Sequence, residues 1–325
     1  MANPVLQVEN LRKTFPVYGP FGRLLPPKGY TNAVEGVSFT LQAGETYGLV
    51  GESGCGKTTT GKMIVGSVLP DEGKILYRGQ NLAALSKKER RPFYKDIQLV
   101  FQDPFSSLNP RQRVGAMLNE ALVIHKAGNA ARRRQLVFAM LEKVGLRPEH
   151  YFRYPHELSG GQRQRLVLAR ALIIDPQVVV CDEPVSSLDV SIQAQILNML
   201  VDLQRDMKLT LLFITHDISV VRYISGKIGV MYLGRLVEEA PTETLFQGPL
   251  HPYTKALFSA VPNFNRRREG GSQAQGEAVR QKAAQGCAFF PRCPLAAEEC
   301  RQTVPPLRDV GGGHWVACHC CEKGR

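Results

Sequence analysis

Nowhere in its 325 residues does this chain hold a run of about 18 apolar side chains, so no membrane-spanning helix is expected. Its first residues, Met1-Ala2-Asn3-Pro4-Val5, carry neither a charged stretch nor an apolar one, and no secretory leader is expected. No internal repeat occurs. Cysteine is scarce until the very end: only Cys55 and Cys181 precede residue 287. Acidic residues are outnumbered 29 to 41, which leaves a formal charge of +12. Such an excess suits nucleic acid, an anionic membrane surface or plain solvated faces. The basic clusters Arg132-Arg133-Arg134 and Arg266-Arg267-Arg268 lack the interleaved aromatics of single-strand binders. Solvated faces are the favoured reading, closeness to anionic lipid head groups comes second, and no nucleic-acid partner is expected. An apolar content of 43% supports a sizeable core, and the length allows two domains.

What is present is a phosphate-site motif. Gly51-Glu52-Ser53-Gly54-Cys55-Gly56-Lys57-Thr58 fits the pattern G-x-x-x-x-G-K-[ST]. Glycines let backbone N–H groups of Ser53, Gly54, Cys55, Gly56 and the following Thr59 curl around phosphate oxygens. Lys57 reaches the β- and γ-phosphates, and Thr58 offers its hydroxyl to Mg²⁺. Before the loop, Thr46-Tyr47-Gly48-Leu49-Val50 reads as a buried strand; after it, residues 59–65 open a helix. An ordinary Gly-rich turn is the bland alternative, and the strand–turn–helix context argues against it. Cys55 has two readings: a thiol favoured as thiolate among N–H donors, or a small residue that fits the turn. Further on, Val178-Val179-Val180-Cys181 reads as a buried strand that ends in Asp182-Glu183. Asp182 is placed to hold Mg²⁺ and Glu183 to activate a water. Cys181 reads as buried packing.

A second motif, Leu158-Ser159-Gly160-Gly161-Gln162, makes the pair specific. Together they identify the chain as resembling the ATP-binding subunits of ABC transporters over about residues 5–262. The resemblance implies roles for further residues. Gln102 matches the Q-loop, as γ-phosphate sensor and Mg²⁺ contact. Ser186-Ser187-Leu188-Asp189 matches the D-loop, and His216 the switch histidine that holds the water geometry. Phe15 falls where the family stacks an aromatic ring on adenine, with Tyr18 as a rival. It also implies a head-to-tail dimer, with ATP between Lys57 of one subunit and Ser159, Gly160, Gly161 and Gln162 of the other. The implied fold is α/β: an ABC-type P-loop NTPase with a RecA-like core, an antiparallel β subdomain and a helical signature subdomain. A small Cys-rich C-terminal extension follows. A DNA-repair ABC ATPase is the remote alternative. It needs coiled-coil or zinc-bearing insertions, and the gap from Thr58 to Leu158 shows neither a sustained heptad nor a C-x₂-C pair.

The expected organisation is an ATPase domain over 1–245, helical from about 103 to 160, and an extension over 246–325. Residues 16–30, rich in Pro and Gly, read as an exposed loop between two strands. Residues 114–125 and 131–144 carry the helical pattern, and 263–286 reads as a flexible linker. The segment His251-Pro252-Tyr253-Thr254-Lys255-Ala256-Leu257 resembles the extension of the dipeptide, oligopeptide and nickel uptake branch. The chain is similar there to the second ATPase subunit of dipeptide importers. That resemblance implies a distinct but similar ATPase partner, two transmembrane permeases and an extracytoplasmic peptide-binding protein. It also implies a peripheral place on the cytoplasmic face of a bacterial inner membrane. Nickel or another small solute is the alternative cargo.

The last 39 residues hold six of the eight cysteines: Cys287, Cys293, Cys300, Cys318, Cys320 and Cys321. Soft thiolates in a chain where no leader is expected suit zinc or an iron–sulfur cluster, while unmetallated thiols are the third reading. The spacing lacks the close pairs usual for zinc. The branch resemblance implies a [4Fe–4S] cluster on Cys287, Cys293, Cys300 and Cys318, with Cys320 or Cys321 able to replace Cys318. Such a cluster would staple a loop-rich tail, and its loss should leave the ATP site around Lys57 largely intact.

Overall fold

The computed structural model describes residues 4–20, 25–103, 107–186, 188–259 and 285–323. Of the expected linker, residues 263–284 lie outside the described residues, as do Ser106 and Ser187.

Two sheets organise the chain. The first holds β1 (Pro4–Val17), β2 (Gly29–Gln42), β4 (Glu72–Tyr77) and β5 (Gln80–Asn81), all antiparallel, in the order β2-β1-β4-β5. The second, from one edge to the other, runs β11 (Arg308–Asp309), β12 (Trp315–Val316), β10 (Arg235–Pro241), β9 (Lys227–Tyr232), β3 (Thr46–Val50), β8 (Thr210–Thr215), β7 (Val178–Asp182), β6 (Ile97–Val100). Its five strands from β9 to β6 are mutually parallel. Parallel strands buried on both faces read as continuous apolar runs, as β3, β7 and β8 do.

Side-chain alternation divides the interior. Val178, Val180, Leu212 and Ile214 face one core cluster with Leu6, Leu11, Val37 and Phe39 of the antiparallel sheet. Val179, Cys181, Leu211 and Phe213, one residue out of phase, face the other. That second cluster takes in Leu118 and Leu122 of the helix Val114–Ile124, Val137 and Leu141 of Ala130–Lys143, and Leu166 and Leu168 of Gly160–Leu172. Asn129 starts the middle helix by accepting the Arg132 N–H at 2.9 Å. Each fully buried Leu or Val contributes about 1.5–3 kcal/mol, so the helical layer is fixed to the sheet by apolar burial. Cys181 belongs to this packing: it is fully buried, and burial pushes its thiol up to about 12.

The expected loop over 16–30 is shorter than the sequence suggests. Pro16 pairs with Tyr30 and Val17 with Gly29, and the Lys28 N–H donates to the Val17 carbonyl at 2.8 Å. Pro and Gly mislead here because β4 accompanies β1 only as far as Arg12. Beyond that point β1 has an open edge, where a missing N–H costs nothing.

The carboxyl-terminal part is built into the larger sheet. β12 pairs with β10, and the Ala317 N–H donates to the Val237 carbonyl at 2.8 Å. Beneath it lies fully buried Glu238, which accepts from Leu250 N at 2.7 Å and His251 N at 3.0 Å and meets His314 Nε2 at 2.7 Å. His251 takes the Tyr253 N–H on Nδ1 at 3.1 Å, and burial lowers its pKa to about 4, so the imidazole is neutral at pH 7. Phe289 and Ala288 then pack with Tyr253, Tyr232 and Val237 in a third apolar cluster.

Candidate active site

β3 ends at Val50, and the phosphate-site loop turns directly into the helix Lys57–Ile64, two residues earlier than the sequence suggests. Gly56 sits at the cap with φ 107°, and a Cβ there would meet the Ala33 carbonyl oxygen at 2.2 Å. Only glycine meets both demands. Gly61, one turn on, lets this helix settle on β7 and β8: a Cβ would meet Ile214 at 2.9 Å and Val180 at 3.0 Å.

Over the loop lies an open cleft of about 600 Å³. Its walls are Ala33, Gly51, Glu52, Ser53, Gly54, Gly56, Lys57, Thr58, Thr59, Gln102, Glu183, His216 and Leu257. Lys57 is 5% exposed, and its ammonium donates to the Gly51 carbonyl at 2.7 Å and the Glu52 carbonyl at 3.0 Å. Thr58 Oγ1 donates to Asp182 Oδ1 at 2.9 Å. Burial pushes the Asp182 carboxyl up, outweighing that hydrogen bond, and the charge of Glu183 adds to the rise. A buried carboxylate beside a hydroxyl is a donor set that fits a hard divalent cation, whose charge would reverse the shift.

Glu183 is held at both its backbone and its side chain. Its backbone adopts φ 48°, left-handed for a residue with a Cβ, and its N–H is tied to the Ile214 carbonyl at 2.9 Å. Such a conformation costs on the order of 1–3 kcal/mol and persists where surroundings enforce it. One carboxylate oxygen accepts from Gln102 Nε2 at 2.9 Å, and the other meets His216 Nδ1 at 3.1 Å. Sheet order explains the convergence. β6, β7 and β8 are adjacent and parallel, so Gln102, Glu183 and His216 emerge together just beyond their carboxyl ends. Asp217 then caps the helix Ile218–Ile224 through Ser219 N at 2.8 Å and Val220 N at 3.2 Å, fixing the His216 backbone. The Gln102 amide contacts Glu183 and not the Thr58–Asp182 pair.

Several expected site residues do not line this cleft. Phe15 stands on β1, 38% exposed, with the Lys13 ammonium 5.5 Å from its ring, and Tyr18 lies beyond the strand. Cys55 requires a correction. Its thiol is 3% exposed and packs into the core below the loop, 3.7 Å from the Lys57 ammonium. Burial raises its pKa, so the reading as a thiolate in the phosphate nest gives way to that of a small residue fitting the turn.

The signature segment lies elsewhere on the surface. Ser159 caps the helix Gly160–Leu172, taking the Gln162 N–H at 3.3 Å while its own N–H donates to Gln162 Oε1 at 3.0 Å. Ser159 and Gly160 are exposed, and Gly161 is pressed against Ile192, which a Cβ would meet at 2.8 Å. Asp189 is exposed beside it, ahead of the helix Val190–Met207, and Val190 is 83% exposed.

Two contacts escape sequence reasoning altogether. The Tyr253 hydroxyl accepts the Glu52 N–H at 2.9 Å, and Arg292 Nη1 reaches both Glu52 carboxylate oxygens, at 3.0 and 3.2 Å. Leu257 closes the same side of the cleft. Arg292, next to Cys293, thus brings the tail into contact with the phosphate loop.

In the tail the Cys287 N–H donates to the Cys300 carbonyl at 2.8 Å, and all eight cysteines are free thiols. Burial raises the Cys287 thiol, and Cys300, Cys318 and Cys293 add to the rise. Hydrogen bonding, above all from the Cys321 thiol, pulls Cys318 down to about 6. Among the described residues no group of three or more His, Cys, Asp or Glu is arranged to hold a metal ion. Nor, among them, is any helix long and apolar enough to cross a membrane.

Comparison with known proteins agrees with this geometry. The ABC transporter family matches residues 34–186, and the C-terminal region of oligopeptide/dipeptide transporters matches residues 237–300. The oligopeptide transport ATP-binding protein AppF of Bacillus subtilis is 45% identical over 324 residues, 97% of each chain. The dipeptide transport ATP-binding protein DppF of Haemophilus influenzae is 46% identical over 318 residues, covering 97% of this chain and 96% of its own. Among solved structures, the ATP-binding cassette MJ0796, a dimer in a post-hydrolysis state bound to ADP and Pi, superimposes with a TM-score of 0.65 at 26% identity. It covers 73% of this chain and 98% of its own. The chain is an ATP-hydrolysing cassette and belongs to the ABC transporter family, among the oligopeptide and dipeptide transport ATP-binding proteins.

Proposed function

We propose that this subunit drives import of di- or oligopeptides, coupling ATP hydrolysis to a pair of permeases. The observation that carries the catalytic half is the Glu183 carboxylate, held on one oxygen by Gln102 and on the other by His216 at the mouth of the Lys57 cleft. Lys57 leaves the Gly51 and Glu52 carbonyls for the β- and γ-phosphates. Thr58 and Asp182 would hold Mg²⁺, which would supply positive charge to neutralise the phosphates. Glu183 takes a proton from water as the water oxygen bonds to the γ-phosphorus and the bond from that phosphorus to the bridging β-phosphate oxygen breaks, giving ADP and phosphate. Gln102 and His216 orient carboxylate and water, and Gln102 would also be a candidate contact for the metal. Phe15 stacks on adenine.

Ser159, Gly160, Gly161, Gln162 and Asp189 act on the ATP of a second, similar ATPase subunit. Their position on a surface apart from the cleft supports that reading. A groove of about 280 Å³ between β6 and the helical layer is lined by Phe101, Met117, Ile124 and Val167. Phe101 and Ile124 are 46% and 64% exposed, which suits docking of a permease segment at the cytoplasmic face of the membrane. Peptide cargo rests on the relatives' names, AppF and DppF among them. In vesicles holding both permeases and the partner ATPase, a peptide-loaded binding protein should raise ATP turnover. Stimulation by nickel complexes and none by short peptides would favour the other cargo of the branch.

The tail thiols Cys287, Cys293, Cys300 and Cys318 are proposed to hold a [4Fe–4S] cluster that staples residues 285–323. The backbone hydrogen bond between Cys287 and Cys300, with Cys318 and Cys293 close enough to act on the Cys287 thiol, supports this. A cubane's ligands are more widely spaced than those of a single ion, so less convergence is asked of them. Anaerobically purified protein should be brown, with about four irons per chain. Cys293→Ser should lose the colour and expose the tail to protease. Stoichiometric zinc without iron would replace the cluster with zinc on the same ligands.

A further inference from the structure

Glu52 is a carboxylate inside a loop that must receive a polyanion. It lines the cleft, yet the structure surrounds it with compensation. Its N–H is held by the Tyr253 hydroxyl, its carbonyl by Lys57, and its carboxylate by Arg292, 240 positions away in sequence. Arg292 is itself fixed: its guanidinium lies 5.8 Å from the Tyr232 ring centroid and 5.6 Å from that of Phe289, with Nη1 3.5 Å from the Tyr232 hydroxyl. Tyr232 and Phe289 belong to the apolar cluster that seats the extension on the sheet. The strut therefore runs from the sheet through the tail to the phosphate loop.

We propose that Arg292 is a positioning residue of the nucleotide site, neutralising Glu52 and holding the loop so that a nucleoside triphosphate meets no opposing carboxylate. Two effects combine. An unpaired carboxylate repels phosphate oxygens directly, and it is free to swing toward Lys57, competing for the ammonium the phosphates need. Both partners are about one-third exposed, 36% for Arg292 and 35% for Glu52, so solvent moderates the effect. An expectation of about fivefold in affinity is the appropriate scale for such a pair. This rests on the Lys57 loop being the phosphate site, and the experiment separates the two claims.

Mg-ATP affinity of the full-length protein would be measured by titration calorimetry for wild type, Arg292→Gln, Glu52→Gln, the double variant and Lys57→Ala. Arg292→Gln should weaken binding about fivefold at low salt, with the difference shrinking toward 1 M salt as screening shortens to about 3 Å. Adding Glu52→Gln to Arg292→Gln should restore affinity to within about twofold of wild type, because the repelling charge is gone. Glu52→Gln alone should bind at least as tightly as wild type. A loss from Arg292→Gln of the same size whether or not Glu52→Gln is also present, or a loss untouched by salt, is what mere loosening of the tail would give and overturns the proposal. So does wild-type affinity in Arg292→Gln while Lys57→Ala loses binding. Unchanged affinity in Lys57→Ala would instead refute the phosphate site.

Discussion

Glu183→Gln should bind ATP and fail to turn it over, with hydrolysis slowed by about 10²–10⁴-fold. The substitution keeps the shape of the side chain and one oxygen acceptor, so the contacts to Gln102 and His216 that aim the group persist in outline. What disappears is the carboxylate held between those two side chains at the mouth of the cleft. Asp182 does not replace it: it is 4% exposed and committed to Thr58. Lys57 and the backbone of the phosphate loop are untouched, which is why affinity and rate should separate. A single-turnover assay with radiolabelled ATP reads both quantities in one experiment. The bound fraction should match wild type while the product-formation rate collapses. Steady-state hydrolysis near the wild-type rate would remove Glu183 from the chemistry and turn attention to His216.

The parts of this site legible in the sequence are those fixed by short-range physics. A buried strand, a glycine turn and a helix start follow one another within about twenty residues, so Lys57 and Thr58 follow from local pattern alone. Asp182-Glu183 is legible for the same reason, as two carboxylates closing an apolar run. Gln102 and His216 are legible only through resemblance, because what unites them with Glu183 is the adjacency of β6, β7 and β8. The core alternation of Val178 and Val180 against Val179 and Cys181 is a period-two pattern, but an unbroken apolar run conceals it. Three features were not legible. The direction of the Cys55 thiol depends on the loop's curl, which places it in the core. The pairing of Pro16 with Tyr30 depends on where β4 ends. The Arg292–Glu52 contact spans most of the chain, and neither residue carries a local sign of it.

The second large effect concerns completion of the site by another subunit. Within one chain the cleft is bounded by the phosphate loop, Gln102, Glu183 and His216, while Ser159 and Gly160 lie exposed on a different surface. A helix start whose Ser159 and Gly160 are exposed is suited to a phosphate, and these residues do not line the cleft of their own chain. Ser159→Arg places bulk at that helix start, outside the walls of its own cleft. The isolated variant should therefore bind ATP as wild type does, yet abolish turnover at the partner's phosphate loop in the assembled pair. The most direct test of the whole account is specific activity against protein concentration, with mass followed by light scattering. Activity per chain should be negligible for the monomer and rise as cassettes associate or as the partner ATPase and permeases are added. Full activity, independent of concentration, in a chain that remains strictly monomeric would contradict it.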